Sequence, residues 1–246
     1  MKLLTWVLLL LAISGLSEAA RKQNDPPAGQ QVLQLLKARF QYADIDYPPE
    51  RIQLIALKES RKLELWAWQD HQWRHIHDYP VFAASGHTGP KLREGDKQVP
   101  EGFYRIESLN PNSNFHLSLK LNYPNPYDWK NASDEGRKTP GSNIFIHGSA
   151  WSVGCLAIGN RSVEELYTLV AKIGAHKAHV LIAPYDFRVR EVKTDKAQPP
   201  WLKQLYTYLN LRMEQFPLTE KKSKCSVDCL LNQEKLTYKI KQHTKE

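Results

Sequence analysis

A histidine and a cysteine stand eight residues apart in the segment Ile146–Cys155, and each has a glycine beside it. Cysteine attacks a carbonyl carbon as the thiolate, and a neighbouring imidazole is the usual base that generates a thiolate near neutral pH. Gly148 and Gly154 allow turn conformations and a close approach of substrate to the backbone. The surrounding residues predict a strand, a loop and a helix, so we expect His147 and Cys155 to face each other across the loop.

A cysteine enzyme of this kind needs a nucleophile, a base and hydrogen-bond donors for the oxyanion of the intermediate. We predict Cys155 as the nucleophile and His147 as the general base and acid. The backbone amides around Gly154 and Cys155 are the predicted oxyanion hole, and Ser152 is a polar neighbour expected to contact substrate. This chemistry suits attack on an amide carbonyl through an acyl-enzyme intermediate and needs no metal or other cofactor.

The sequence does not single out the group that orients the base. A backbone carbonyl at or near Gly148, or the hydroxyl of Ser149, would serve equally well. A plain structural alternative also stands beside the catalytic hypothesis: Cys155 as a buried structural cysteine and His147 as a hydrogen-bonded loop histidine.

The elements that must position these residues are mostly short strands. Before them, apolar residues at helical spacing predict a helix over 31–42. Ser162-Val163-Glu164-Glu165 has the pattern of a capping box and predicts a helix running to about Lys172. The predicted strands cover residues 52–57, 62–68, 73–77, 103–106, 116–121, 143–146 and 179–183, and a last helix covers 200–216. The fold expected is therefore mainly β with peripheral helices, an α+β class.

The N-terminus has the composition of a secretory signal peptide. Lys2 precedes a short apolar run, and small residues before Ala19 mark a cleavage site after that residue. The run is too short to span a bilayer, which takes about 20 residues. We therefore predict export without an integral membrane segment once the signal is removed, and a periplasmic location. The predicted organisation is 1–19 signal peptide, 20–49 linker and helix, 50–190 catalytic domain and 191–246 C-terminal helical extension.

The charge and the cysteines bear on partners and compartment. A net charge of +8 favours anionic surfaces, and the chain has no nucleic-acid-binding motif, so the bacterial wall is the expected partner rather than nucleic acid. Cys225 and Cys229 are spaced for a small disulfide loop in an oxidising compartment. If they pair, Cys155 remains as the odd thiol, as expected for a reactive cysteine. A thiol-redox role for Cys225 and Cys229 is a weaker alternative, because redox pairs usually have two residues between them at a helix start.

The segment Ile146-His147-Gly148 followed by Ser152-Val153-Gly154-Cys155 resembles the signature of the YkuD-type L,D-transpeptidase catalytic domain. Three further segments resemble its YafK-like branch in the same order along the chain. They are Gly89-Pro90-Lys91 with Gly95-Asp96, Pro100-Glu101-Gly102-Phe103-Tyr104, and Tyr123-Pro124-Asn125-Pro126-Tyr127-Asp128.

The resemblance implies a β-sandwich catalytic domain acting on peptidoglycan stem peptides. It implies that Cys155 attacks the carbonyl of a diamino acid–D-amino acid bond, with His147 as base and the Gly148 carbonyl as the group that orients it. Lys91 and Arg93 are then candidates to bind stem-peptide carboxylates. The aromatic-rich segment from Tyr123 to Trp129, which includes Tyr127, is predicted to be a loop and is a candidate lid over the cleft.

Transfer to an amine would form a crosslink or attach a protein to the wall, whereas transfer to water would make the enzyme a hydrolase. Many family members have an arginine two positions after the cysteine, where this chain has Ala157. The YafK-like branch also includes hydrolases, which release wall-attached proteins or stem-peptide partners. A wall-binding module that has lost the chemistry is the third function left open.

Overall fold

The computed structural model describes residues 29–195 and 197–218. The predicted signal peptide, over 1–19, lies outside the described residues, as do Cys225 and Cys229. Within the described residues, no helix is long and apolar enough to cross a membrane.

A mixed sheet organises the described part of the chain. Its strands run in the order β3-β2-β1-β9-β5-β6-β7-β8-β4. They are β1 Ile52–Leu57, β2 Lys62–Gln69, β3 Gln72–Pro80, β4 Ala83–Ala84, β5 Gly102–Ser113, β6 His116–Leu121, β7 Phe145–His147, β8 Leu156–Ala157 and β9 Ala178–Ala183. Most neighbours are antiparallel, but β1 pairs with β9 and β7 pairs with β8 in parallel.

Strand β5 belongs to both halves of this sheet. Its first part, Gly102 to Arg105, pairs with β9, and its later part, from Ile106, pairs with β6. The register shifts between Ile106 and Ser108, and such an irregularity bends a strand. Apolar residues of both halves, such as Leu54 in β1 and Leu119 in β6, share one buried core. The two halves therefore pack against each other, as in a sandwich.

Four helices lie around the sheet in the described residues. They are α1 Gln30–Tyr42, α2 Pro126–Asp134, α3 Asn160–Ile173 and α4 Trp201–Met213. The described chain is about 28% helical and 29% strand, and the predicted mainly β fold with peripheral helices is confirmed.

The helices bury different faces of the sheet. Helices α1 and α3 add to the core shared by both halves, and the buried ion pair between Arg39 Nε and Glu165 Oε2, at 3.0 Å, joins them. Helix α4 covers the other face of β1 and β9, where Leu205 and Leu209 belong to one cluster with Leu181. Alternation of side chains along each strand separates these two layers.

Two local predictions were wrong. The segment expected to be a loop from Tyr123 to Trp129 instead enters helix α2, which begins after a capping box formed by Asn125 and Asp128. Helix α3 begins at Asn160, two residues before the predicted cap at Ser162, and its N-cap Gly159 makes no side-chain capping bond. The capping box in this chain therefore lies at α2 and not at α3.

Candidate active site

Strands β7 and β8 hold the two predicted catalytic residues side by side. They pair in parallel, with Ile146 opposite Leu156 and His147 opposite Ala157. Cys155 directly precedes β8, and because side chains alternate along a strand, Cys155 and His147 project to the same face. Strand spacing and rise put their Cα atoms roughly 8 Å apart, close enough for a thiol and an imidazole to meet.

His147 is held by its own loop. Its ring is buried, with 2% of the residue exposed, and Nδ1 lies 2.6 Å from the carbonyl oxygen of Gly148. A carbonyl only accepts, so Nδ1 carries the proton and Nε2 has the free lone pair. The Phe115 ring covers the imidazole at a centroid distance of 4.6 Å. This tautomer is the one that a general base requires.

Cys155 is a free cysteine, partly exposed at the other side of the pair. Its Sγ lies 3.8 Å from the carbonyl oxygen of Asn143, within range of a weak S–H donor bond. Burial raises the pKa of the thiol, while a backbone contact at Phe145 and the charge of Lys91 oppose that rise.

Both groups are therefore neutral near pH 7 in the free protein. Burial lowers the pKa of His147, and the hydrogen bond to the Gly148 carbonyl opposes this only in part. A raised thiol pKa and a lowered imidazole pKa disfavour a preformed thiolate–imidazolium pair. A neutral pair of this kind would act by proton transfer from the thiol to Nε2 during attack on the carbonyl.

The predicted oxyanion amides already have hydrogen-bond partners. The Gly154 amide donates to Ser85 Oγ at 2.5 Å, and the Cys155 amide donates to Ser152 Oγ at 2.9 Å. An oxyanion bound there would have to replace a serine hydroxyl as acceptor. Ser152 also donates to the Cys155 carbonyl at 2.6 Å, so its hydroxyl clamps the turn that carries the nucleophile and does not point freely to substrate.

The turn after His147 depends on Gly148 and Asn160. A β-carbon on Gly148 would lie 2.6 Å from the Phe115 carbonyl oxygen and 2.7 Å from Asn160 Oδ1, so only glycine fits there. Asn160 Oδ1 accepts from the Ser149 amide at 2.8 Å, and Ser149 has a left-handed φ of 66°. Asn160, the first residue of α3, thus holds the same peptide group whose carbonyl contacts His147.

Lys91, predicted to bind a stem-peptide carboxylate, already has partners within its own loop. Its Nζ is buried, 2.6 Å from Asp96 Oδ1 and 2.9 Å from the Arg93 carbonyl oxygen. The aliphatic part of the Lys91 side chain lies against Gly141, where an added β-carbon would be only 2.3 Å from Lys91 Cε. A charged lysine is buried only when paired, and here Asp96 is the partner. Lys91 instead fastens its loop to the segment leading to Asn143.

The other predicted substrate contacts lie apart from this arrangement. Arg93 is exposed, and within the described residues its guanidinium has no hydrogen-bond or ion-pair partner. Tyr127 lies in α2, and its ring contacts that of Trp201, the first residue of α4, at a centroid distance of 6.1 Å. It lines a cavity of about 180 Å³ with Phe103 and Tyr208, among others. Tyr127 therefore packs towards the C-terminal helix.

Sequence reasoning missed Ser85, Phe115 and Asn160. Asn160 carried a local signal, because an asparagine beside a glycine at the start of a helical stretch is typical of a helix terminus. Ser85 and Phe115 reach the site only through pairing of β4 with β8 and of β6 with β7, which spacing along the chain does not reveal.

Comparison with known proteins identifies the family. The L,D-transpeptidase catalytic domain family, YkuD, matches residues 51–192. The chain belongs to this family. Its members act on peptidoglycan. The protein YafK of Escherichia coli (strain K12), whose name assigns it to the L,D-transpeptidases, is 29% identical over 173 residues, covering 69% of this chain and 68% of its own.

Two solved structures are among those similar to this chain. Pgp2 of Campylobacter jejuni, a helical cell shape determining protein, is 18% identical, with a TM-score of 0.45 over 83% of this chain and 78% of its own. Bd1075 of Bdellovibrio bacteriovorus is 22% identical, with a TM-score of 0.41 over 68% of this chain. The match covers 61% of Bd1075, less than two thirds of its length.

Proposed function

We propose that this protein is an exported cysteine enzyme that cleaves and transfers peptidoglycan stem peptides through a thioester intermediate at Cys155. The observation that carries the proposal is the contact between His147 Nδ1 and the Gly148 carbonyl, which leaves the lone pair of Nε2 free to act as a base. Family membership gives the substrate class. The signal-like N-terminus and the similarity to YafK support a periplasmic location.

In the first half of the reaction, Nε2 of His147 takes the thiol proton as Sγ of Cys155 attacks the carbonyl carbon. The tetrahedral oxyanion is stabilised by the amides of Gly154 and Cys155 once a serine hydroxyl gives way. The C–N bond then breaks, His147 returns the proton to the leaving amine, and a D-amino acid departs. The product left on the enzyme is a thioester.

In the second half, an acceptor attacks the thioester carbonyl and Sγ leaves as the thiol. An amine acceptor makes this step transpeptidation, which crosslinks stem peptides or attaches a protein to the wall. Water as acceptor makes it hydrolysis, which leaves a trimmed stem. Where the amine that departs in the first half belongs to a wall-attached protein instead of a D-amino acid, the same two steps release that protein. Transpeptidation is the first candidate, because the chain belongs to the L,D-transpeptidase catalytic domain family.

Hydrolysis is the second candidate, and Ala157 favours it. This residue is fully buried opposite His147, at a position where the resemblance leads one to expect arginine. An apolar methyl group there cannot hold a carboxylate of the substrate, so the acceptor is less constrained. The wall-attached protein is a proposed partner of this reaction.

The test incubates the protein with purified tetrapeptide muropeptides and, separately, with sacculi carrying covalently bound protein. Mass spectrometry separates new crosslinks, freed D-amino acid and freed protein. The matched control is Cys155→Ala, which keeps the fold but lacks the nucleophile. The proposal is supported if the native protein turns over a substrate and Cys155→Ala does not. If both proteins bind sacculi and neither changes any substrate, the chain is a wall-binding module instead.

A further inference from the structure

Three arginines and a histidine come together on the sheet face that carries α4. Arg105 in β5 and His179 in β9 are direct cross-strand partners. Arg51 immediately precedes β1, whose first residue pairs with Ala178 next to His179. Arg212 lies in the last turn of α4. Arg51, Arg105, His179 and Arg212 are called the cationic cluster below.

Aromatic rings hold two of these arginines in place. The Arg51 guanidinium lies over the Trp68 ring at 4.3 Å and near the Trp73 ring at 5.7 Å. That of Arg212 lies 5.8 Å from the Phe216 ring. Phe216 in turn contacts Trp73 at a centroid distance of 5.2 Å, so one aromatic group supports both cations. A guanidinium stacked on a ring keeps its edge N–H donors available for an anion.

No carboxylate neutralises the cationic cluster within the described residues. Glu107, on the same strand as Arg105, forms its ion pair with Lys120 at 2.9 Å. Glu50, next to Arg51, and Glu214, two residues after Arg212, are exposed. Among the described residues, neither makes an ion pair with a member of the cationic cluster.

The electrostatic field of the cationic cluster is consistent with this geometry. Burial, followed by the charge of Arg51, lowers the pKa of the Arg212 guanidinium. Burial lowers the pKa of His179 as well, and Arg212, Arg51 and Arg105 lower it further. The folded protein thus holds mutually repelling cations together, and a bound anion would remove that repulsion.

We propose that the cationic cluster binds a multiply charged phosphate-type oxyanion, either free or as the headgroup of an anionic lipid. Guanidinium edges match the oxygen geometry of phosphate, and three of them exceed what a single carboxylate can neutralise. The site does not include His147 or Cys155. It therefore stands whether or not the proposed reaction is correct.

Inorganic pyrophosphate is the probe for the free anion, with thermal unfolding of the whole protein as readout at pH 7. We expect saturating pyrophosphate to raise Tm by roughly 5 °C, and sodium chloride at equal ionic strength to have little effect. Arg105→Gln and Arg212→Gln should weaken pyrophosphate binding by about tenfold or more in calorimetric titration. The control Lys203→Gln removes an exposed cation of the same helix, α4, and should bind as the native protein does.

The variants also report on the repulsion itself. Without ligand, Arg212→Gln should unfold at the same or a higher temperature than the native protein, because a repelling charge is gone. Sedimentation with vesicles containing phosphatidylglycerol distinguishes the source of the phosphate. Vesicle binding that needs Arg105 and Arg212 assigns a lipid headgroup, whereas pyrophosphate binding alone assigns a free phosphate. The proposal is overturned if neither probe binds, or if both arginine variants bind as tightly as Lys203→Gln.

Discussion

Replacing Asn160 with alanine tests whether the turn after His147 sets the state of the base. The substitution removes the acceptor that holds the Ser149 amide at 2.8 Å and leaves Ser149 in a left-handed conformation without support. Losing this hydrogen bond and leaving the Ser149 amide without its acceptor costs about 1 to 2 kcal/mol, whereas the strain of the left-handed serine is present in both proteins. The arrangement in which the Gly148 carbonyl contacts Nδ1 should therefore lose about 1 to 2 kcal/mol.

That free energy corresponds to a roughly 5- to 30-fold fall in kcat/KM. The hydrogen bond to the Gly148 carbonyl raises the pKa of His147 against the effect of burial, so its weakening should move the acid limb of the pH–rate profile to lower pH. The assay is release of D-amino acid from a tetrapeptide muropeptide across a pH series. Asn160→Asp keeps an acceptor oxygen and should retain most of the rate, with the acid limb moved to higher pH by the added negative charge.

The matched control is Asn122→Ala, which removes the same kind of bond, from the Arg105 amide to Asn122 Oδ1 at 2.8 Å, outside the His147 turn. It should leave the acid limb in place. The reasoning is refuted if Asn160→Ala keeps the native pH profile, or if its rate falls only in proportion to the fraction of unfolded protein.

Three further predictions concern titration and packing. Cys155 should react slowly with iodoacetamide near pH 7, and its rate should keep climbing to a higher pH than that of an ordinary cysteine, because burial raises the thiol pKa; fast alkylation at pH 6 would contradict this. Burial raises the pKa of Asp128 to about 6, so its contribution to stability is complete below about pH 3.9 and is lost as pH rises through about 6. In the native protein the free energy of unfolding should therefore fall by up to about 3 kcal/mol between those pH values, and Asp128→Asn should remove this fall. Equal slopes of unfolding free energy against pH for both proteins would count against it. Lys91→Met should lower stability by about 2 kcal/mol in urea unfolding and slow alkylation of Cys155 at fixed pH, because a charge that stabilises the thiolate is gone. The exposed control Lys138→Met should do neither, and identical behaviour of the two variants would exclude the role given to Lys91.

The parts of the fold that were predictable from sequence are those set by short-range patterns. Strand β2 alternates polar and apolar residues, and β1 is a short apolar run bounded by turn residues, so both were found with their hairpin. The same reasoning found the helix of Gln30–Tyr42 to within one residue. The His147 and Cys155 pair was noticed because both lie in one short segment around a tight loop.

The features that could not be predicted from the sequence depend on contacts between distant segments. A lysine beside glycine and proline looks solvated in sequence, yet Lys91 is buried because Asp96 and Gly141 enclose it. The proline-rich run around Asn125 looks like a loop, although Pro126 is well suited to the first turn of a helix. The hydrogen-bond partner of the Gly154 amide could not be predicted either, because Ser85 directly follows β4 and lies 69 residues earlier in the chain.

The central claim is that Cys155 carries the acyl group, and intact-protein mass spectrometry after a short incubation with a tetrapeptide muropeptide tests it most directly. The native protein should gain the mass of the muropeptide less that of its terminal D-amino acid, and hydroxylamine, which cleaves thioesters, should remove the added mass. Cys155→Ala should gain nothing, and His147→Ala should gain it far more slowly. Release of D-amino acid by Cys155→Ala at the native rate would contradict the account.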